Sequence, residues 1–204
     1  MKRFALSLLW ALLWPLSAMM AQSAGGTIAG YEYVDLGLSV KWATCNLNAD
    51  SPSDPGLYYA WGETCSKSEY WAINCTTEGK PLPDISGNPK YDVARAIMGG
   101  SWRIPTKAEF EELQKNCNWK WTKQGDQAGY LVTSKKNGNF IFLPAGGWHY
   151  ADLFLQWNEL GSYWTSTPDN SNPRGAYLME FNYVFGFTPL LDRSNGRNIR
   201  PVSN

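Results

Sequence analysis

The pattern of apolar and polar residues predicts a domain with two helices and several short strands. Residues 31–36 and 38–43 each alternate in polarity and are separated by Gly37, which predicts a hairpin. Asn137-Gly138 is a strong turn signal between two apolar segments. The strands predicted after the first hairpin cover residues 57–61, 130–134, 140–143, 163–166, 175–182, 183–187 and 198–202. Because both helices fall between groups of strands, the fold class predicted is α+β.

The clearest helix signal is a capping box formed by Thr106 and Glu109. The threonine oxygen accepts from the amide three residues later, and the glutamate reaches back to the threonine amide. An apolar stripe follows and predicts a helix over residues 107–117. Asp92 can cap a shorter helix over residues 93–98. We expect the capping box to hold a helix start and to have no catalytic role.

The first residues of the chain are typical of a secretory signal peptide. Residues 1–21 begin with two basic residues, continue as an apolar run over 4–16 and end in small residues up to Ala21. We expect residues 22–30 to form a flexible lead-in and residues 31–204 to form a single domain. The predicted location is therefore the periplasm, the cell surface or the extracellular space.

Charge and hydropathy argue against a nucleic acid partner and against a membrane span. Removal of the predicted leader takes away two of 18 basic and none of 18 acidic residues, which leaves a net charge of −2. The chain has no basic excess, so we expect no nucleic acid partner. No segment after the leader is apolar enough to predict a membrane span.

Four cysteines in an exported chain suggest disulfides. Three connectivities are possible. Our hypothesis pairs Cys65 with Cys75 across a short polar loop, and Cys45 with Cys117 between a strand and the end of the capped helix. The cysteine spacings match no zinc pattern.

Several motifs in a fixed order resemble one known family. They cover residues 37–46, 56–63, 100–113, 116–121, 138–146, 161–167 and 199–202. Together they resemble the Fibrobacter succinogenes major paralogous domain, whose members are secreted or surface proteins mainly of Bacteroidetes-type bacteria. The resemblance implies a C-type-lectin-like fold, in the branch shared with formylglycine-generating, sulfatase-modifying enzymes. It also implies that the N- and C-terminal strands pair, so we expect residues 31–36 beside 198–202.

The resemblance also sets expectations about chemistry. The sulfatase-modifying enzymes hold copper with a cysteine pair in the C-terminal half, and here no cysteine follows Cys117. The calcium motifs of sugar-binding C-type lectins are missing, although Trp157-Asn158-Glu159 partly resembles one of them. His149 is the sole histidine and has no identified nucleophile as a partner. We therefore expect a non-enzymatic protein without metal or cofactor.

Aromatic residues in a predicted loop over 146–160 are the best candidates for ligand contact, because loops on a rigid scaffold often carry function. The candidate ligand-binding residues are Trp148, His149, Tyr150, Phe154 and Trp157. The alternative is a loop that buries its own aromatic side chains. A second long, irregular loop over 62–89 is also typical of functional segments.

The predicted function is an exported binding or adhesion module that contacts a glycan or a protein through these loops. The alternative is a structural or assembly component of the bacterial cell envelope with no small-molecule ligand.

Overall fold

A computed structural model describes residues 25–184 and 186–204, so the predicted signal peptide lies outside the described residues. Within them, two helices and a series of short strands form a mixed α+β fold, as predicted. In chain order, the elements are β1 (Gly25–Ile28), β2 (Tyr31–Val34), β3 (Lys41–Ala43), α1 (Val93–Met98), α2 (Lys107–Asn116), β4 (Cys117–Gln124), β5 (Gln127–Ser134), β6 (Phe140–Pro144), β7 (Trp148–Tyr150), β8 (Leu153–Leu155), β9 (Gly161–Pro168), β10 (Gly175–Phe181), β11 (Gly186–Phe187), β12 (Leu190–Asp192) and β13 (Val202–Ser203).

The first sheet has the strand order β1-β2-β3-β13. It confirms the first predicted hairpin, since β2 and β3 pair antiparallel with Val34 opposite Trp42. The prediction of a flexible lead-in is wrong for residues 25–28, which form β1 and pair along their length with β2. Trp102 anchors this strand because its indole Nε1 donates to the carbonyl of Ile28 at 2.8 Å.

The C-terminal strand joins the same sheet, but at a different place from the one expected. β13 pairs with β3, with Val202 opposite Trp42, so β3 separates it from β2. The predicted direct pairing of residues 31–36 with 198–202 is therefore wrong. The free edge of β3 accepts the C-terminus because β2 already occupies its other edge. On its other side, Val202 exchanges backbone hydrogen bonds with Arg103, each of 2.9 Å.

A second sheet has the order β4-β5-β6 and contains the hairpin predicted from Asn137-Gly138. Strand β4 was not predicted. The chain passes directly from α2, which ends at Asn116, into β4 at Cys117, one residue earlier than the predicted helix end. Trp119 and Trp121 lie on one side of β4 and both pack edge-on against Tyr130 of β5, at 5.4 and 5.1 Å between ring centroids.

The remaining strands form a sheet around β10, which pairs with β9, β11 and β12, and a separate two-stranded hairpin of β7 and β8. The loop predicted over residues 146–160 thus contains regular structure. The strand predicted over residues 57–61 is wrong. Tyr59 instead forms an isolated bridge with Arg197 through exchanged backbone hydrogen bonds of 3.0 Å, and the amide of Trp61 donates to the carbonyl of Arg193 at 2.8 Å.

Both predicted helix starts are confirmed. Thr106 and Glu109 form the complete capping box of α2, and the Asp92 carboxylate accepts from the amide of Arg95 at the start of α1. Helix α2 buries Phe110 and Leu113 in the main core, where the Phe110 ring lies 5.1 Å from that of Trp42. In the described part of the chain, neither helix is long and apolar enough to cross a membrane.

All four cysteines are free in the structure, so neither predicted disulfide is formed. Cys117 is buried in the main core, and Cys75 is buried beside Thr77, with 3.6 Å between sulfur and hydroxyl. Cys65 is exposed and Cys45 is half-buried. Each thiol thus lies in a different local environment. The spacing argument missed this because it takes no account of the loops between the cysteines.

Candidate functional site

The hairpin of β7 and β8 carries four of the five predicted ligand-binding residues. Its register places Trp148 opposite Leu155, His149 opposite Phe154 and Tyr150 opposite Leu153. Because side chains alternate along a strand, the His149–Phe154 pair points to one face and the other two pairs point to the opposite face. The turn includes Ala151 in a left-handed conformation with φ of 57°.

The face carrying His149 packs on the body of the protein. The imidazole stacks on Phe154 with 4.8 Å between centroids and meets Tyr58 edge-on at 4.7 Å and Tyr70 at 5.3 Å. The hydroxyl of Tyr70 donates to the carbonyl of Tyr58 at 2.5 Å, and that of Tyr58 donates to the carbonyl of Gly146. Burial lowers the pKa of His149 and raises that of Tyr70. The aromatic contacts therefore hold the hairpin against the protein, and burial favours the uncharged form of the His149 imidazole.

Backbone hydrogen bonds hold the hairpin on both sides. The amide of His149 donates to Gly196 at 2.8 Å, and Gly196 donates back at 3.0 Å. At the turn, Tyr70 and Ala151 exchange bonds of 2.8 and 3.2 Å. A Cβ atom at Gly196 would lie 2.6 Å from the Tyr70 ring, so glycine permits this close approach. The result is a short hairpin that two other segments hold rigidly in place.

Arg197 supports the base of the hairpin from inside the protein. Its guanidinium lies 4.7 Å from the ring of Trp148 and 5.3 Å from that of Trp164. Nη1 donates to Glu180 at 2.6 Å and to the hydroxyl of Ser162. Burial lowers the pKa of Arg197 to about 10, against the opposing effect of Glu180, so the side chain stays charged at neutral pH.

Large apolar side chains are exposed on the hairpin and directly after it, with Tyr150 and Leu153 on the opposite face, Phe154 on the face of His149, and Trp157 after β8. We call these residues the aromatic face: Tyr150 (50% exposed), Leu153 (52%), Phe154 (47%) and Trp157 (52%). The exposed Trp71 follows Tyr70, whose bridge to Ala151 places this segment beside the hairpin turn. Exposed apolar residues are ordinary when scattered, but a group on one short segment indicates an interaction surface.

The segment that carries Trp157 is conformationally strained. Gln156 and Asn158 on either side of it have φ of 55° and 64°, in the left-handed region that non-glycine residues rarely adopt. Asn158 is held by its side chain, whose Oδ1 accepts from the amide of Ala128 at 2.6 Å and whose Nδ2 donates to Asp126 at 2.9 Å. Such strain persists only where surrounding contacts enforce it, and it is concentrated at functional segments.

The predicted candidates thus divide into two groups. Tyr150, Phe154 and Trp157 are exposed and available for contact, while Trp148 and His149 are half-buried and support the hairpin. Sequence reasoning missed the supporting residues outside the loop, because nothing in the pattern connects distant segments to it. These residues are Tyr58, Tyr70, Gly196 and Arg197.

The surroundings of His149 are aromatic. Its Nδ1 atom is buried and has no hydrogen-bond partner in the described part of the chain. Catalytic histidines require a nucleophile or an orienting group within hydrogen-bond reach, so this geometry favours a packing role. Across residues 25–184 and 186–204, no group of three or more His, Cys, Asp or Glu side chains is placed to hold a metal ion.

Comparison of the chain with protein-family models, with curated proteins and with solved structures returned no match. The family resemblance drawn from the sequence motifs therefore stays a prediction.

Proposed function

We propose that this protein is an exported, non-enzymatic binding module that contacts a glycan or a protein through the aromatic face. The observation that carries the proposal is a rigidly held hairpin that exposes several large apolar side chains to solvent. Tyrosine and tryptophan suit recognition because they offer large contact areas with little loss of conformational entropy on binding. Since the hairpin is fixed before binding, little further ordering cost arises.

The proposal includes a C-type-lectin-like scaffold and export to the periplasm or cell surface. The sequence motifs, a single sheet that contains both β2 and β13, and long loops between short strands support the scaffold. The apolar, positively charged start of the sequence supports export.

The test compares two exposed aromatic residues on different elements. Trp157→Ala removes the largest side chain of the aromatic face, and Tyr183→Ala removes an even more exposed ring from the loop after β10. Both variants and the wild-type protein are applied to a glycan array and to a pull-down from the cell envelope. We expect Trp157→Ala to lose the detected ligand and Tyr183→Ala to retain it. Equal binding by all three proteins contradicts the proposal.

A second exposed apolar group supports the alternative function, assembly into the cell envelope. It consists of Tyr183 (74% exposed), Val184 (71%), Phe187 and Leu190, around the short strands β11 and β12. This group shares no residue with the aromatic face, so the two functions are separable. If Tyr183→Ala and not Trp157→Ala abolishes the interaction, assembly is the better account.

A further inference from the structure

A positively charged cleft lies close to the hairpin of β7 and β8. It has a volume of about 430 Å³, within the range of small-molecule sites. We call it the lysine cleft. Most of its charged and polar side chains come from the long loop over residues 62–89, and two follow that loop directly. They include Glu63, Lys67, Asn74 and Lys80 from the loop, and Lys90 and Tyr91 after it.

The charges of the lysine cleft do not cancel. The Lys67 ammonium pairs with Glu63 at 2.8 Å and donates to both oxygens of Asn74 at 3.1 Å, so its hydrogen bonds are already used. Within the described chain, Lys80 and Lys90 form no ion pair with any carboxylate. Three lysines and one glutamate give the lining a charge of +2. The whole sequence, by contrast, has no net charge.

The cleft also offers groups suited to a sugar ring. The side chains of Thr64, Thr76 and Asn74 at its wall can hydrogen-bond hydroxyl groups. The Tyr91 ring lines the cleft, with the Lys90 ammonium 5.0 Å from its centroid. A wall of hydroxyl and amide groups suits a polyhydroxylated ligand better than an apolar peptide side chain.

One buried tyrosine connects the lysine cleft to the hairpin that carries the aromatic face. The Lys67 ammonium lies 5.6 Å from the centroid of the Tyr70 ring, and the same ring lies 5.3 Å from His149 on the hairpin. Trp71 follows directly and is exposed. The cleft and the hairpin therefore pack against the same side chain.

We propose that the lysine cleft binds the anionic group of an acidic glycan, with Lys80 and Lys90 as the charged contacts. The carboxylate of a uronic acid and the sulfate of a sulfated sugar share this chemistry. The inference rests on the proposed function, because it selects acidic glycans from the broader class of ligands for the same surface.

The first experiment measures binding by isothermal titration calorimetry. The probes are a hexamer of galacturonic acid, a sulfated hexasaccharide, a neutral glucose hexamer and a poly-glutamate peptide. We expect at least one acidic sugar to bind more tightly than the neutral sugar and the peptide, and added salt to weaken that binding. Lys80→Gln/Lys90→Gln should lose about tenfold or more in affinity, since two charge-assisted contacts are removed.

The matched control is Lys120→Gln/Lys123→Gln. It makes the same change in net charge at two exposed positions on β4. We expect this control to bind the acidic probe as the wild type does. If the two double variants lose affinity equally, the effect comes from net charge and the cleft assignment is overturned. Equal thermal stability of both variants and the wild type shows that neither change acts through folding.

The second experiment uses a thiol in the cleft and needs no substitution. Cys65 is exposed and lines the lysine cleft, whereas Cys45 lies on a different surface beside Thr44. Saturating acidic hexasaccharide should slow maleimide alkylation of Cys65 and leave that of Cys45 unchanged, as read by mass spectrometry. If the hexasaccharide binds but the rate of Cys65 alkylation does not change, the proposal is overturned.

The outcomes separate this inference from the function on which it rests. If the Lys80/Lys90 variant loses acidic sugar binding while Trp157→Ala binds normally, the sugar binds in the lysine cleft and the proposed role of the aromatic face is wrong. If Trp157→Ala loses binding and the lysine variant does not, the sugar binds at the aromatic face and the proposed role of the lysine cleft is wrong. Tighter binding of poly-glutamate than of either acidic sugar, or no binding of either sugar, also overturns the acidic-glycan assignment.

Discussion

Replacing Arg197 with methionine tests whether a buried cation stabilises the hairpin that carries the site. Methionine keeps most of the volume of the arginine side chain but removes its charge and its donors. The carboxylate of Glu180, 2.6 Å away, would lose its ionic partner inside the protein. The rings of Trp148 and Trp164 would lose a cation at 4.7 and 5.3 Å.

Removal of one partner from a buried ion pair costs about 3–5 kcal/mol. Two features of the structure reduce the loss of stability expected for Arg197→Met. Arg197 Nε and Nη2 are buried without a hydrogen-bond partner in the described chain, so their desolvation already weakens the native arrangement. Glu180 is 8% exposed and can regain some hydration. We therefore expect Arg197→Met to lower the free energy of unfolding by about 3 kcal/mol, the lower end of that range.

The assay is urea unfolding followed by tryptophan fluorescence, for Arg197→Met, Glu180→Gln and the double variant. Because the double variant removes both charges, it should lose less than the sum of the single changes, with a coupling of about 2 kcal/mol. Arg174→Met is the matched control, since its side chain is 70% exposed. It should change stability by no more than about 0.5 kcal/mol. A loss below about 1 kcal/mol for Arg197→Met, or strictly additive effects, contradicts a stabilising role for the buried Arg197–Glu180 pair.

Three further predictions concern the fold and its pH dependence. Thr106→Ala removes the oxygen that accepts from the amide of Glu109 and should cost about 1 kcal/mol in urea unfolding, while Glu111→Ala on the exposed side of α2 should cost almost nothing. Equal losses would show that the cap is unimportant. Burial lowers the pKa of His149, so the unfolded chain binds its proton more readily and stability should fall as the pH drops below about 6.5. His149→Phe should therefore show a smaller fall in melting temperature between pH 7 and pH 5 than the wild type. Identical pH profiles for the two proteins would contradict this effect of His149. Gly129→Ala should destabilise by about 2 kcal/mol, because its Cβ would lie 2.3 Å from a backbone oxygen on β6, and a change too small to resolve in urea unfolding would contradict this.

Local signals predicted the parts of the fold that depend on neighbouring residues. The capping box of Thr106 and Glu109 gave the start of α2, and Asn137-Gly138 gave the hairpin of β5 and β6. These features were predictable because the hydrogen bonds and turn geometry involve residues two to four positions apart.

Features that depend on distant segments were missed or misplaced. The turn between β7 and β8 uses Ala151 at positive φ, a residue type that gives no turn signal. The position of β13 depends on which edge of β3 is free, and the pattern of the C-terminal residues does not contain that information. The burial of Arg197 was also unexpected, because arginines are rarely fully buried and its partners Glu180 and Ser162 lie far away in sequence.

The same division applies to the candidate site. The density of aromatic residues in one loop pointed to the right segment, and Tyr150 and Trp157 are exposed as a contact surface requires. Which aromatic residues support the hairpin and which face solvent depends on strand register and on Tyr58 and Tyr70 from another loop. The lysine cleft was also not predictable from the sequence pattern, because Lys80 and Lys90 come together only when the chain folds.

The most direct test of the proposed binding function is the binding of a panel of acidic and neutral oligosaccharides and envelope proteins to wild-type protein, Trp157→Ala and Tyr183→Ala. We expect a ligand that binds the wild type and Tyr183→Ala alike and that Trp157→Ala no longer binds. Retention of every detected ligand by Trp157→Ala would contradict it.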